Sequence, residues 1–259
     1  MRAPDPVAHD PGMQTNVHEI ADKVYRLSTT IPEVAPGGFT FNQYLLDGDE
    51  PLLFHTGARQ LFPLVSEAVA KVIDPVTLRW LSFGHVESDE SGSMNQWLEM
   101  APDAQVVFNP LGVMVSLNDL ADRPPLALVT DEVAHDIGGH MLRIIPTPHV
   151  PHGWEAQVMF DEATCTLFCG DLFTQIGDGP ALVHDADVLQ PALAAEDLFG
   201  ATALTSNTAP TLRRLAELEP RTLALMHGPA YAGDGRQALL DLADAYEARL
   251  AASMPQAVA

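Results

Sequence analysis

The segment His85-Val86-Glu87-Ser88-Asp89-Glu90 concentrates side chains that can hold a metal ion. It follows the apolar run Leu78-Arg79-Trp80-Leu81-Ser82-Phe83-Gly84, which reads as a strand. In extended chain, alternate positions share a face, so His85, Glu87 and Asp89 point the same way. Glu90 stands immediately after them. Three further ligand-type residues end apolar runs downstream. His149 closes Ile144-Ile145-Pro146-Thr147-Pro148-His149, Asp171 closes Leu167-Phe168-Cys169-Gly170-Asp171, and His227 closes Leu223-Ala224-Leu225-Met226-His227. Loops at strand ends on a rigid scaffold are where chemistry is presented.

Taken together, these motifs resemble the metallo-β-lactamase fold, and within it the diiron branch formed by flavodiiron proteins and single-domain oxygen-binding diiron proteins. That branch carries His-x-Glu-x-Asp-His, then a distant His, an Asp and a last His, at separations close to those found here. Phe41-Asn42-Gln43-Tyr44-Leu45-Leu46 is similar to the family's first β-hairpin, and the resemblance covers roughly residues 17–250. It implies an αββα four-layer sandwich of the α/β class. It also implies a dinuclear site in which His85, Glu87 and His149 hold one metal, Asp89 and His227 hold the other, and Asp171 bridges. Glu90 departs from the family pattern, which has His there. It can ligate, support a ligand, or leave a position open. His55 also departs, since the superfamily usually has Asp at that place in a structural hydrogen-bonding role. A ring N–H of His55 can serve that role.

Such a site is rich in carboxylates and mixes nitrogen with oxygen donors. That suits iron or manganese, whereas zinc favours more nitrogen or sulfur. At a given site the order of intrinsic affinities still favours zinc, so geometry and metal availability decide. The expected cofactors are two iron ions, with zinc or manganese as substitutes and no flavin in this chain.

Three functions follow as expectations. The first is a non-haem diiron protein that binds, and with electrons reduces, dioxygen or nitric oxide. It needs a separate flavoprotein or other electron donor. The alternative is a metal-dependent hydrolase of an ester, lactone, thioester or phosphodiester, with a metal-bound hydroxide oriented by Asp89. Glu87 speaks against it, because hydrolases of this fold usually have His there. The third is a sensing module that uses the same ligands.

Other residues have candidate roles in or near the site. His152, in Val150-Pro151-His152-Gly153-Trp154, can gate the site or donate to a bound ligand. It joins Asp89 and Glu90 as a candidate catalytic residue. Trp154 reads as a lid, Tyr231 as packing, and Gly177-Asp178-Gly179-Pro180 as a cap over the pocket. His9, His135 and His140 read as surface or turn residues, and His184 as part of an exposed polar loop.

The composition narrows partners. Thirteen Lys and Arg against 35 Asp and Glu give a formal net charge of −22. A surface this acidic repels nucleic acid and anionic membranes. Lys23 and Lys71 are the sole lysines, a bias that fits a GC-rich or salt-tolerant host. No apolar run is long enough to span a bilayer. Cys165 and Cys169 share a strand face too far apart for a disulfide, so both read as free thiols in a cytoplasmic protein. Homodimers are common in this fold, and one is compatible with the sequence.

Periodicity supplies the scaffold. Residues 1–16 read as a disordered leader and 17–259 as a single metallo-β-lactamase-like domain. Val24–Thr29 reads as a strand. Phe41–Leu46 and Pro51–His55 form a hairpin across Asp47-Gly48-Asp49-Glu50. Further strands are expected at Ala104–Phe108, Val133–His135, His140–Ile145, Gln157–Phe160 and Thr166–Cys169. Helices are expected at Leu61–Ile73, Ser93–Met100, Pro110–Leu120, Asp187–Phe199, Ala209–Leu218 and Arg236–Ala252.

Overall fold

The computed structural model describes residues 13–128 and 133–253. Each half of the chain supplies one seven-stranded sheet. The first contains β1 (Thr15–Ala21), β2 (Val24–Ile31), β3 (Phe39–Leu46), β4 (Leu52–Phe54), β5 (Trp80–Ser82), β6 (Gln105–Phe108) and β7 (Leu126–Ala127), in sequence order. The second contains β8 (His135–Asp136), β9 (Met141–Pro146), β10 (Gln157–Asp161), β11 (Thr166–Phe168), β12 (Leu182–His184), β13 (Thr222–Ala224) and β14 (Ala230–Ala232). Its order is β12-β14-β13-β11-β10-β9-β8. β4, β5 and β6 run parallel, as do β11 and β13. Parallel neighbours release their chains at the same edge, which gathers the loops that follow them.

The helices are α1 (Phe62–Val69), α2 (Ser88–Ser91), α3 (Met94–Met100), α4 (Pro110–Gly112), α5 (Asn118–Leu120), α6 (Leu189–Phe199), α7 (Thr208–Ala216) and α8 (Gly235–Ser253). Three apolar clusters correspond to the three interfaces of a four-layer αββα sandwich. Leu45 and Leu53 of the first sheet meet Val65 of α1 and Trp97 of α3. Their chain neighbours Tyr44, Leu46 and Phe54 point the other way and meet Ile144, Met159 and Phe168 of the second sheet. Leu167 and Leu223 face outward to Leu212 of α7 and Leu239 and Leu242 of α8. Alternation along each strand thus feeds a different core on each face, and strands buried on both sides read as continuous apolar runs.

Several expected boundaries shift. β1 begins at Thr15, inside the expected leader, whose first twelve residues lie outside the described residues. The run Leu78–Gly84 is strand only over Trp80–Ser82. Asp89 and Glu90 then occupy the first turn of α2 rather than an extension of the strand. The helix expected over Pro110–Leu120 is broken into α4, a π-helical turn at Val113–Leu117, and α5. The short strands β7, β12 and β14 were not expected, and β12 places His184 on a strand, although it is exposed. Among the described residues, no helix is long and apolar enough to cross a membrane.

Candidate metal centre

Four loops, each following a strand, deliver the site. His85 and Glu87 follow β5, His152 follows β9, Asp171 follows β11 and His227 follows β13. Each strand is pinned by a buried ladder, so its loop starts from a fixed point.

His85 Nε2 lies 2.7 Å from Glu87 Oε2 and 3.0 Å from His152 Nε2. His152 Nε2 lies 3.2 Å from Glu87 Oε2 and 3.4 Å from Asp171 Oδ2. Asp171 Oδ2 is 3.8 Å from His85 Nε2. One donor atom from each of these four residues falls within 4.8 Å of every other. A second group adjoins it. His227 Nε2 lies 3.3 Å from Asp171 Oδ1 and 3.4 Å from Asp89 Oδ2. Asp171 therefore turns one carboxylate oxygen to each group.

The far ring nitrogens are held elsewhere. His227 Nδ1 is 2.8 Å from the Thr40 carbonyl, which accepts its hydrogen. His85 Nδ1 is 3.3 Å from Glu90 Oε2. Both contacts leave Nε2 facing inward, the arrangement that fixes a histidine ligand's tautomer.

Glu90 is fully buried and lies behind His85 rather than among the converging donors. Its Oε2 accepts from the backbone N–H groups of Gly84 and His85, both at 2.7 Å. The same oxygen is 3.3 Å from His55 Nδ1, and His55 is also fully buried. The ligand and catalytic expectations for Glu90 are thereby corrected. Its Oε2 is spent on the backbone and on two imidazoles, and its Oε1 is buried without a partner. His55 takes the supporting place expected of it. Gly84 permits this packing, since a Cβ there would lie 2.9 Å from Glu90 Oε2.

The two loop histidines are also reversed relative to expectation. His149 is exposed, in left-handed backbone, with its N–H bonded to the Gly153 carbonyl at 2.7 Å. The chain then reverses over Val150–Gly153 and carries His152 inward. Two histidines three residues apart on one irregular loop carry no periodic signal to choose between them.

Protonation reflects the crowding. Burial works to lower the basicity of His85, but Glu90, the Glu87 hydrogen bond and Asp171 outweigh it and push its pKa up to about 12. Burial likewise opposes charge on His227, while Asp171 and Asp89 push it up to about 10. The hydrogen bond to Glu87 raises His152. His152 and His85 in turn hold the Glu87 carboxyl well below its usual range. Protons thus supply the positive charge that this cluster of carboxylates demands. Asp171 Oδ1 remains buried without a hydrogen-bond partner, as does His152 Nδ1. A buried carboxylate oxygen left over among inward-facing imidazoles is satisfied by a cation, so the residues present fit a metal centre.

The remaining candidates fall elsewhere. Trp154 is 53% exposed and does not line the cleft over the site, so the lid reading fails. Phe39, Phe41 and Phe199 wall that cleft instead, and the Phe39 ring lies 4.3 Å from the His227 ring. Gly177–Pro180 does not line the cleft either. Its Gly177 N–H is bonded to the Gly38 carbonyl and its Asp178 carboxylate to the Thr30 hydroxyl. His140 is buried against Asp161 at 2.8 Å rather than exposed, while His135 is half-buried and His9 lies outside the described residues. Tyr231 packs in the outer core, as expected. Cys165 and Cys169 are free, and burial pushes the Cys169 thiol upward.

A family model described as ODP family beta lactamase matches residues 39–228. The chain belongs to the ODP family. Within curated sequences, this ODP chain is 29% identical over 202 residues to "Putative diflavin flavoprotein A 1" of Nostoc sp. The match covers 74% of this chain and 34% of that protein. The chain thus spans about a third of the length of the curated relatives it matches. Among solved structures, the metal-soaked Flv1 flavodiiron core from Synechocystis sp. PCC6803 superposes with a TM-score of 0.76 at 20% identity. That match covers 93% of this chain and 62% of the other. Rubredoxin oxygen:oxidoreductase from Desulfovibrio gigas gives 0.74 at 18% identity, over 88% of this chain and 62% of the other. The ODP chain therefore has the metallo-β-lactamase fold of flavodiiron cores.

Proposed function

We propose that this chain is a non-haem diiron protein that binds dioxygen or nitric oxide and reduces it when a separate donor supplies electrons. The observation that carries this reading is the placement of Asp171, with one oxygen on the His85–Glu87–His152 group and the other on the Asp89–His227 group. Three imidazoles and three carboxylates then hold two ions at neighbouring positions. Mixed nitrogen and oxygen donors of this kind suit iron. Two ferrous ions bound there would supply open coordination positions and electrons for a diatomic gas.

The chain's own residues set the conditions. Glu90 and the Thr40 carbonyl orient His85 and His227. Phe39, Phe41 and Phe199 make an apolar wall at the cleft, which admits a small neutral gas and disfavours bulk water. The longer relatives named as diflavin flavoproteins motivate assigning electron supply to a flavoprotein donor. The hydrolase reading is not favoured, because Glu87 brings a carboxylate where hydrolases of the fold use an imidazole.

The test is iron content after anaerobic reconstitution, followed by consumption of dioxygen and nitric oxide by the reduced protein. About two irons per chain and an oxygen-dependent visible band are expected. No band from the fully loaded ferrous protein, together with turnover of a lactone or phosphodiester by the zinc-loaded form, would transfer the site to hydrolysis.

A further inference from the structure

We infer that the two metal positions are unequal, and that Glu90 is the positioning residue that makes them so. The inference rests on the dinuclear reading above and goes beyond it. The first position draws on four residues, His85, Glu87, His152 and Asp171, whose donor atoms already converge. The second draws on Asp89, His227 and the other oxygen of Asp171. Residue 90 directly follows Asp89 and sits in the same helical turn. Its carboxylate lies outside the converging donors: Oε2 accepts from the Gly84 and His85 N–H groups and lies 3.3 Å from the His55 and His85 imidazoles, and Oε1 is buried without a partner beside Gly84 and Gly170.

The commitment is structural rather than a chance rotamer. Glu90 is fully buried, so its charge needs those partners. The backbone at Gly84 is shaped around it. Gly84 leaves no room for a Cβ beside Oε2, whereas a Cβ at Gly170 would make ordinary contact with Oε1 at 3.5 Å. The Glu90 carbonyl accepts from the Thr56 N–H and hydroxyl, which fixes the turn as well. His55 opposite has no hydrogen-bond partner for either ring nitrogen and faces Glu90 Oε2 at 3.3 Å. Glu90 and His55 therefore form a buried acid–imidazole pair. That pair strengthens the first position through His85 Nδ1 and leaves the second with one fewer protein donor. The consequence is ordered loading, with one ion held tightly and a second held weakly.

Calorimetric titration of the metal-free full chain with Co(II), under conditions where both ions bind, tests this without reference to oxygen chemistry. Two phases are expected, separated by at least about tenfold in affinity. Asp89→Asn should remove the weak phase and leave the tight one. Glu90→Gln keeps the shape and the backbone acceptor but removes the charge beside His85. It should weaken the tight phase by roughly 10- to 100-fold, the usual effect of losing a partner behind a ligand, and leave the weak phase unchanged. A general structural disturbance would weaken both. The double exchange His55→Asp with Glu90→His keeps one acid and one imidazole in the buried pair, and Asp tolerates the positive φ of 63° at position 55. The exchanged imidazole can pair through one ring nitrogen and offer the other to the second position, which should narrow the gap between phases. A single phase of two equal ions in the unaltered chain, or a Glu90→Gln titration identical to it, overturns the inference and leaves the diiron reading standing. No uptake of Co(II) overturns both.

Discussion

An imidazole serves as a metal ligand when one ring nitrogen is held and the other is left facing the ion. His227 meets that condition through the Thr40 carbonyl and His85 through Glu90. His152 meets the second half of it, with Nε2 between Glu87 and Asp171 and Nδ1 without a partner. His149, three residues earlier, is exposed and does not belong to the converging group. His152→Ala should therefore cut metal retention by an order of magnitude or more, while His149→Ala should retain the metal of the unaltered chain. Elemental analysis after gel filtration reads both variants. Equal retention by the two would remove the ligand role from His152, and loss in His149→Ala alone would return it to His149. The pair is informative because both substitutions remove the same atoms from the same loop, so a difference between them belongs to geometry.

At the scale of elements, β3 holds the last ligand loop. Asn42 Nδ2 donates to the carbonyls of Leu225 and Gly228, each at 2.8 Å, and Thr40 Oγ1 accepts from the Gly228 N–H. Those contacts bracket His227. Asn42→Ala removes two buried hydrogen bonds, but Tyr44 and Arg26 still reach the same carbonyls. The loss should be about 1–3 kcal/mol in urea unfolding, with weaker binding of the ion at the Asp89–His227 position. Unchanged stability would mean that β3 does not staple this loop. A second buried contact sits at the end of β10. Burial would raise the Asp161 carboxyl, but His140, Thr164 and the Ala163 N–H together lower it. A carboxylate depressed in the folded state adds stability above its unfolded pKa of about 3.9. That stability is lost as pH falls through the folded value. The unaltered chain should thus lose more stability than Asp161→Asn between about pH 5 and pH 3, and parallel losses would remove Asp161 from the acid response. These elements also show what the sequence could convey. Both sheets were legible because Leu45, Leu53 and Leu167 alternate with residues that feed the other core. His85, Glu87, Asp89, Asp171 and His227 were legible because each ends such a run. The inward turn of His152 and the burial of Glu90 were not, since both depend on where an irregular loop folds back. The His140–Asp161 contact was hidden because His140 precedes β9 and meets the last residue of β10, so it depends on how these two strands pair across an irregular loop.

At the scale of the molecule, an ion bound at the proposed centre would tie the two sheets together. His85, Glu87 and Asp89 come from the first sheet's edge, and His152, Asp171 and His227 from the second. An ion held by both sets binds the folded chain and not the unfolded one, so it stabilises by mass action. At a free concentration a hundredfold above its dissociation constant, that amounts to about 2.7 kcal/mol. For a chain of this size the Tm should rise by roughly 5–10 °C over a chelator-treated sample. The formal net charge of −22 offers a rival explanation, because a strongly acidic surface collects divalent cations without any built site. Salt separates the two. At about 1 M the Debye length falls to about 3 Å, so attraction to exposed carboxylates is largely screened, whereas buried groups are screened much less. His85 and His227 are buried and Asp171 nearly so, with 12% of its side chain exposed. Added salt should therefore raise the Tm of the chelated form by relieving surface repulsion. It should leave most of the Co(II)-dependent increment intact when the ion is kept saturating. An increment that disappears in high salt would assign the stabilisation to the acidic surface and remove the centre as the link between the sheets.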